Sequence, residues 1–310
     1  MIFFILKRLF IGVLKDFFHF GLIYFQTPAL STELCAAGCS GGGPSALWLI
    51  NFIFVILAAM FKKIADFLIT LWMWITFPVL TIFFTFPIAF CSIFLAPFDP
   101  HRKWAHFWGQ AWGQAVIKVN PQWKLHVSGL KNIKLGQTYV IVSNHMSMVD
   151  ILCLYYLNTQ FKWIAKTSLF KIPFLGWSMS FMHYIRLERG HHGSIRKSYE
   201  EAKRWIQKGV SVVIFPEGTR SPSGTLNAFK NGAFKLAIET QAPILPVALY
   251  GNEKLIPKGK IVVGINVHSY LRILPAIDTK ECRTEDFARV RDQVHTMIKA
   301  EIENISNDHL

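Results

Sequence analysis

Residues 138–157 read TYVIVSNHMSMVDILCLYYL, a short apolar run that breaks at Ser143-Asn144-His145 and resumes a few residues later. Thr138 to Val142 has the length and β-branched content of a buried strand, and Met148 to Leu157 reads as a helix. Further along, strands are predicted over Val210 to Phe215 and Ile244 to Leu249, with a helix over Leu226 to Thr240 between them. Strands alternating with helices indicate an α/β sheet with crossovers.

Both strand ends carry residues suited to chemistry. On one continuous helix, His145 and Asp150 would lie about 140° out of phase and could not meet. His145 therefore belongs in the turn before the helix, and Asp150 in its first turns, reaching back toward the ring. A carboxylate on one imidazole nitrogen fixes the tautomer and frees the other nitrogen to accept a proton. No enzyme serine is needed when the substrate brings its own hydroxyl. The second strand runs directly into Phe215-Pro216-Glu217-Gly218-Thr219-Arg220-Ser221. Proline and glycine around an acidic residue make a tight turn at the carboxyl end of a strand, where α/β sheets place their ligands. The forked guanidinium of Arg220 suits a phosphate.

Composition divides the chain. Hydrophobic residues make up 52% of its 310 positions, and 27 are phenylalanine, above the roughly 45–50% apolar share of a soluble domain. The surplus lies before residue 97, which predicts an N-terminal helical membrane module over 1–99. Its parts are an interfacial helix over 1–25, a linker over 26–45 that includes the SGGGPS of Ser40 to Ser45, and hydrophobic segments over 46–61 and 67–97 separated by Lys62 and Lys63. Pro78 and Pro87 interrupt the second segment, which reads either as one bent span or as two short helices. Residues 100–310 form the second domain, ending in a polar, partly helical tail from Lys280.

A formal charge of +14 attracts anionic lipid or a phosphorylated substrate. No arginine-rich recognition helix or aromatic RNA-binding signature is present, so nucleic acid is not an expected partner. The five cysteines are scattered and follow no disulfide or metal spacing. His183, His191 and His192 lack a metal-binding pattern, the last two reading as a loop between Gly190 and Gly193, and no metal is expected.

Together, N-H-x-S-x-x-D at 144–150 and F-P-E-G-T-R-S at 215–221 resemble the lysophosphatidic acid acyltransferase family. The resemblance runs from about Trp123 to about Leu274 and takes in Phe229-Lys230-Asn231-Gly232-Ala233-Phe234 and Ile244-Leu245-Pro246-Val247. It implies an α/β acyltransferase domain with a mixed central sheet flanked by helices. It also implies a reaction, transfer of an acyl chain from acyl-CoA or acyl carrier protein to the sn-2 hydroxyl of lysophosphatidic acid, giving phosphatidic acid. His145 and Asp150 would be the catalytic pair. Lys166, Arg189 and Arg220 would hold the acceptor's phosphate, with Asn144, Ser147, Glu217, Gly218 and Thr219 also in the substrate site and Pro246 bordering the acyl side. Backbone amides near Gly218 would face the oxyanion, and Arg186 is read as a solvent-facing charge. The thioester donor is a co-substrate and no cofactor is expected. Cytosolic thioester donors place the site on the cytoplasmic face of a membrane, taken as the bacterial inner membrane. Ser168 and Glu188 depart from the family pattern, which keeps lyso-ornithine lipid, other lysophospholipids and glycerol 3-phosphate as alternative acceptors and a non-catalytic membrane adaptor as the rival from another class.

Overall fold

The computed structural model describes residues 46–188, 190–221, 225–257 and 263–308. The expected interfacial helix over 1–25 and linker over 26–45 lie outside these residues. The first described element, α1 (Ala46–Phe94), is one continuous 49-residue helix. It runs through Lys62 and Lys63, where the sequence predicts a break, and through Pro78 and Pro87. A lysine has good helix propensity and the break rested on charge alone. Residues 53–94 are long and apolar enough to cross a membrane, with Phe54, Phe61, Phe83, Phe86 and Phe90 exposed.

The chain divides into two compact units. One extends to Trp72 and takes in Val263, whose N–H donates to Thr70 Oγ1. The other begins at Met73 and carries the sheet, so it starts inside the segment expected to belong to the membrane module. Within this larger unit the last turns of α1 are tied down by polar side chains. Thr85 Oγ1 meets Ser178 Oγ at 2.8 Å, Ser92 Oγ donates to the Phe181 carbonyl, and Trp112 Nε1 donates to Thr81 Oγ1.

After α2 (Lys103–Lys118) come β1 (Trp123–Ser128), β2 (Val140–Ser143), α3 (Asp150–Leu154), β3 (Phe161–Lys166), α4 (Leu175–Phe181), β4 (Ile185–Leu187), α5 (His192–Gln207) and β5 (Ser211–Ile214). The chain then forms α6 (Gly232–Thr240), β6 (Ile244–Tyr250), α7 (Asn252–Leu255), β7 (Val267–Ile273) and α8 (Phe287–Asp308). The seven strands lie in the order β1-β7-β6-β2-β5-β3-β4. Strands β2 to β6 are mutually parallel, and β7 turns back antiparallel on β6 with β1 parallel to it, so the sheet is mixed as expected.

Two expectations are corrected and a third is filled in. The helix over Leu226 to Thr240 begins only at Gly232, because residues 226–230 are held as a loop over the turn that follows β5. His192 opens α5 rather than lying in a loop. The C-terminal tail is a 22-residue helix whose Val290, Val294, Ile298, Ile302 and Ile305 form one buried stripe. Val290, Val294 and Ile298 close the core formed by Val140, Val212, Phe234 and Ile244. Burial of this kind is worth about 1.5–3 kcal/mol per large side chain.

Candidate active site

Parallel neighbours send their loops out at the same end of a sheet. Strand β2 lies between β5 and β6 and parallel to both, with Val140 opposite Val212 and Ile244. The two motifs and the Gly251-Asn252 turn after β6 therefore converge, although they are scattered along the chain. Lys166 sits at the same end of β3 and is exposed. Arg189 lies outside the described residues.

After Ser143 the chain turns so that Asp150, fully buried, opens α3 and points back at the turn. Its Oδ2 lies 2.9 Å from His145 Nδ1 and accepts the backbone N–H groups of Met146 and Ser147 at 2.7 and 2.8 Å. Its Oδ1 accepts the amide of Asn252, itself fully buried, at 2.8 Å. The carboxylate is thus held from both sides. An oxygen that already accepts two N–H groups faces Nδ1 as an acceptor, so Nδ1 carries the ring proton and Nε2 offers its lone pair. Nε2 has no hydrogen-bond partner among the described residues, and the side chain is 13% exposed. The Phe215 ring lies flat against the imidazole, centroids 4.1 Å apart, with Trp163 stacked behind it at 5.7 Å.

Glu217 fastens the two turns together. Its Oε1 accepts the His145 N–H at 2.7 Å and its Oε2 accepts the Asn227 N–H at 3.0 Å. The Ser221 N–H donates to the His145 carbonyl at 2.8 Å, closing the connection. Burial pushes the Glu217 carboxyl above the usual glutamate range, and the two amides pull it back down. Gly218 takes φ +72°, which an L side chain rarely adopts. Its N–H bonds the Phe215 carbonyl, so that amide is spent inside the turn. Thr219 is exposed and Arg220 half-buried.

Three residues expected at the substrate are buried and bonded within the scaffold. Asn144 is 1% exposed and clasps Leu249 with both ends of its amide, Nδ2 donating at 2.9 Å and Oδ1 accepting at 2.8 Å, which locks the end of β2 to β6. Ser147 is buried with its hydroxyl on the Ile256 carbonyl. Pro246 lies inside β6, buried, its carbonyl accepting the Leu274 N–H. Sequence reading missed Asn252 and Phe215 as the ring beneath His145. For Asn252 the only signal was its place just after a parallel strand, 102 residues from Asp150.

A mixed sheet with a histidine–aspartate turn beside a basic turn defines an acyltransferase domain, and the family model described as Acyltransferase matches residues 124–250. The chain is 32% identical over 190 residues to the 1-acyl-sn-glycerol-3-phosphate acyltransferase of Borreliella burgdorferi, covering 75% of that protein and 58% of this one. It is 40% identical over 183 residues to the chloroplastic LPAT1 of Arabidopsis thaliana, covering 58% of this chain. The match spans half the length of that plant protein, 50% of it. The crystal structure of the 1-acyl-sn-glycerophosphate (LPA) acyltransferase PlsC from Thermotoga maritima superposes with a TM-score of 0.69 at 28% identity, over 79% of this chain and 98% of that one. The chain belongs to the 1-acyl-sn-glycerol-3-phosphate acyltransferase family.

Proposed function

We propose that this chain transfers an acyl group from a thioester donor, acyl-CoA or acyl carrier protein, to the sn-2 hydroxyl of lysophosphatidic acid, with His145 as general base. The observation that carries this reading is the Asp150 carboxylate, buried and gripping Nδ1 while Nε2 stays open. Nε2 takes the hydroxyl proton as the oxygen attacks the thioester carbonyl. The tetrahedral intermediate collapses, the carbon–sulfur bond breaks, and the departing thiolate recovers the proton from His145. Asp150 keeps its charge throughout and stabilises the imidazolium. Lys166 and Arg220 supply positive charge at the same sheet end for the acceptor's phosphate.

The names of the relatives support the acceptor. In this reading α1 holds the larger unit at a membrane, on a face supplied with acyl thioesters. The bacterial cytoplasmic face is one such place, and the chloroplast, home of the Arabidopsis relative, supplies another. The test uses the full chain in nanodiscs, offering lysophosphatidic acid, lyso-ornithine lipid, lysophosphatidylethanolamine and glycerol 3-phosphate in turn with each donor. Phosphatidic acid forming fastest is the expected result. Faster acylation of another acceptor would overturn the acceptor assignment, and release of free fatty acid alone would overturn the transferase.

A further inference from the structure

We propose that Lys230 is a further phosphate-binding cation of the acceptor site, beside Lys166 and Arg220, and that it selects a dianionic phosphomonoester head group over a phosphodiester. The proposal rests on the reading of a phosphorylated lysolipid acceptor and narrows it.

The chain after the β5 turn doubles back over it. Asn227 N–H reaches Glu217 Oε2, and Lys230 N–H reaches the Pro216 carbonyl at 2.9 Å. This lays the lysine side chain across Gly218, where a Cβ on residue 218 would lie 2.9 Å from Lys230 Nζ and 3.1 Å from Cε. Glycine at 218 thus serves two ends, the left-handed turn and the seat for an ammonium group. Lys230 is exposed, and among the described residues no carboxylate lies within ion-pair distance of its Nζ. The adjacent Glu217 turns its two oxygens to the His145 and Asn227 amides and makes no ion pair with the lysine. Arg220, two residues beyond Gly218, also makes no ion pair among the described residues. The β5 turn and the loop laid over it therefore present two cations that have no ion-pair partner among the described residues.

A phosphomonoester, with a second pKa of about 6, carries two charges at neutral pH, whereas a phosphodiester carries one. An additional cation favours the former. Hydrogen bonds to charged groups are worth about a 10- to 100-fold change in binding, so Lys230→Gln should raise KM for lysophosphatidic acid at least about 10-fold while kcat holds. Lys230→Arg, which keeps the charge, should restore most of the loss. In the wild type, KM for lysophosphatidic acid should fall as pH rises from about 5.5 to 7.5 and the phosphate gains its second charge, and Lys230→Gln should flatten that fall. Lysophosphatidylethanolamine, a phosphodiester, should be indifferent to the substitution. Lys235→Gln, at a lysine seated over the Phe287 ring, serves as the surface control.

An unchanged KM in Lys230→Gln, or an equal loss on both acceptor classes, would mean that Lys230 only braces the turn and would overturn the proposal. A second measurement does not depend on turnover: labelling of Lys230 by an amine-reactive reagent, followed by mass spectrometry. Lysophosphatidic acid should protect Lys230 and lysophosphatidylcholine should not. Protection without acylation would uphold the binding role and sink the reaction, whereas acylation without protection would sink Lys230 and leave the reaction standing.

Discussion

The two turns that meet at the head of β2 and β5 are built on opposite plans. In the first, the carboxylate is fully spoken for: Asp150 is buried and accepts from a ring nitrogen, two backbone amides and the Asn252 side chain, leaving His145 Nε2 open. In the second, Glu217 and Ser221 are sunk into the structure, whereas Arg220 is half-buried and Lys230, laid over the turn, is exposed. A group that must hold a proton acceptor in one orientation needs a rigid, dry surround, because stray flexibility changes the tautomer. A group that captures a charged substrate must stay wet until the substrate arrives. On the proposed mechanism, the contrast gives chemistry to one turn and recognition to the other.

The heaviest blow to that division should come from Asp150→Asn. It leaves the volume intact but removes the acceptor that holds Nδ1–H, so kcat should fall by about 10³- to 10⁴-fold with little change in acceptor KM. A comparable rise in KM instead would show that the first turn also recognises substrate. Glu217→Gln tests the joint between the turns. Its new amide nitrogen must face either the His145 or the Asn227 N–H, leaving a buried donor unpaired at about 1–3 kcal/mol. Calorimetry should show Tm lower by about 3–10 °C, and an unchanged Tm would mean the joint is slack.

Lys162 shows what burial does to a base that no carboxylate grips. It is fully buried, donates to the His101 and Met182 carbonyls at 2.9 and 2.7 Å, and lies over the Trp205 ring. Burial lowers it to about 7, Arg102 pushing further down and Asp99 pulling back up. Between about 7 and the usual lysine value the unfolded chain binds the extra proton, so stability should rise with pH across that window. Lys162→Met should lose this rise, visible as a flatter urea midpoint between pH 7 and 10; parallel profiles for the two proteins would contradict it. The smallest effect belongs to Arg186→Gln. Arg186 is exposed, bonded to Ser180 Oγ and stacked on Phe170, and acylation should change less than about twofold. A large loss would enlist β4 in recognition.

How far the sequence discloses this follows from range. Strands β2, β5 and β6 were legible from apolar runs of the right length, and the His145–Asp150 geometry from a five-residue spacing that one helix cannot satisfy. Asn252 was not, because its partner is 102 residues away and only the parallel pairing of β2 with β6 brings them together. Lys230 was visible as a motif letter, but its reach over Gly218 depends on a loop that folds back where a helix was expected. Continuity of α1 through Lys62–Lys63 escaped because two charges in an apolar run look like an end, whereas long lysine side chains can extend outward without breaking a helix. The stripe from Val290 to Ile305 was in plain view, masked by the charges between its members.

The central claim is that His145, held by Asp150, removes the proton from the acceptor hydroxyl. Single-turnover acylation of lysophosphatidic acid by His145→Ala tests it, with folding checked by circular dichroism and by an unchanged KM for the acceptor. The account predicts a chemical step slowed by at least about 10²- to 10⁴-fold with acceptor binding intact, whereas acylation at the wild-type rate in the folded variant would contradict it.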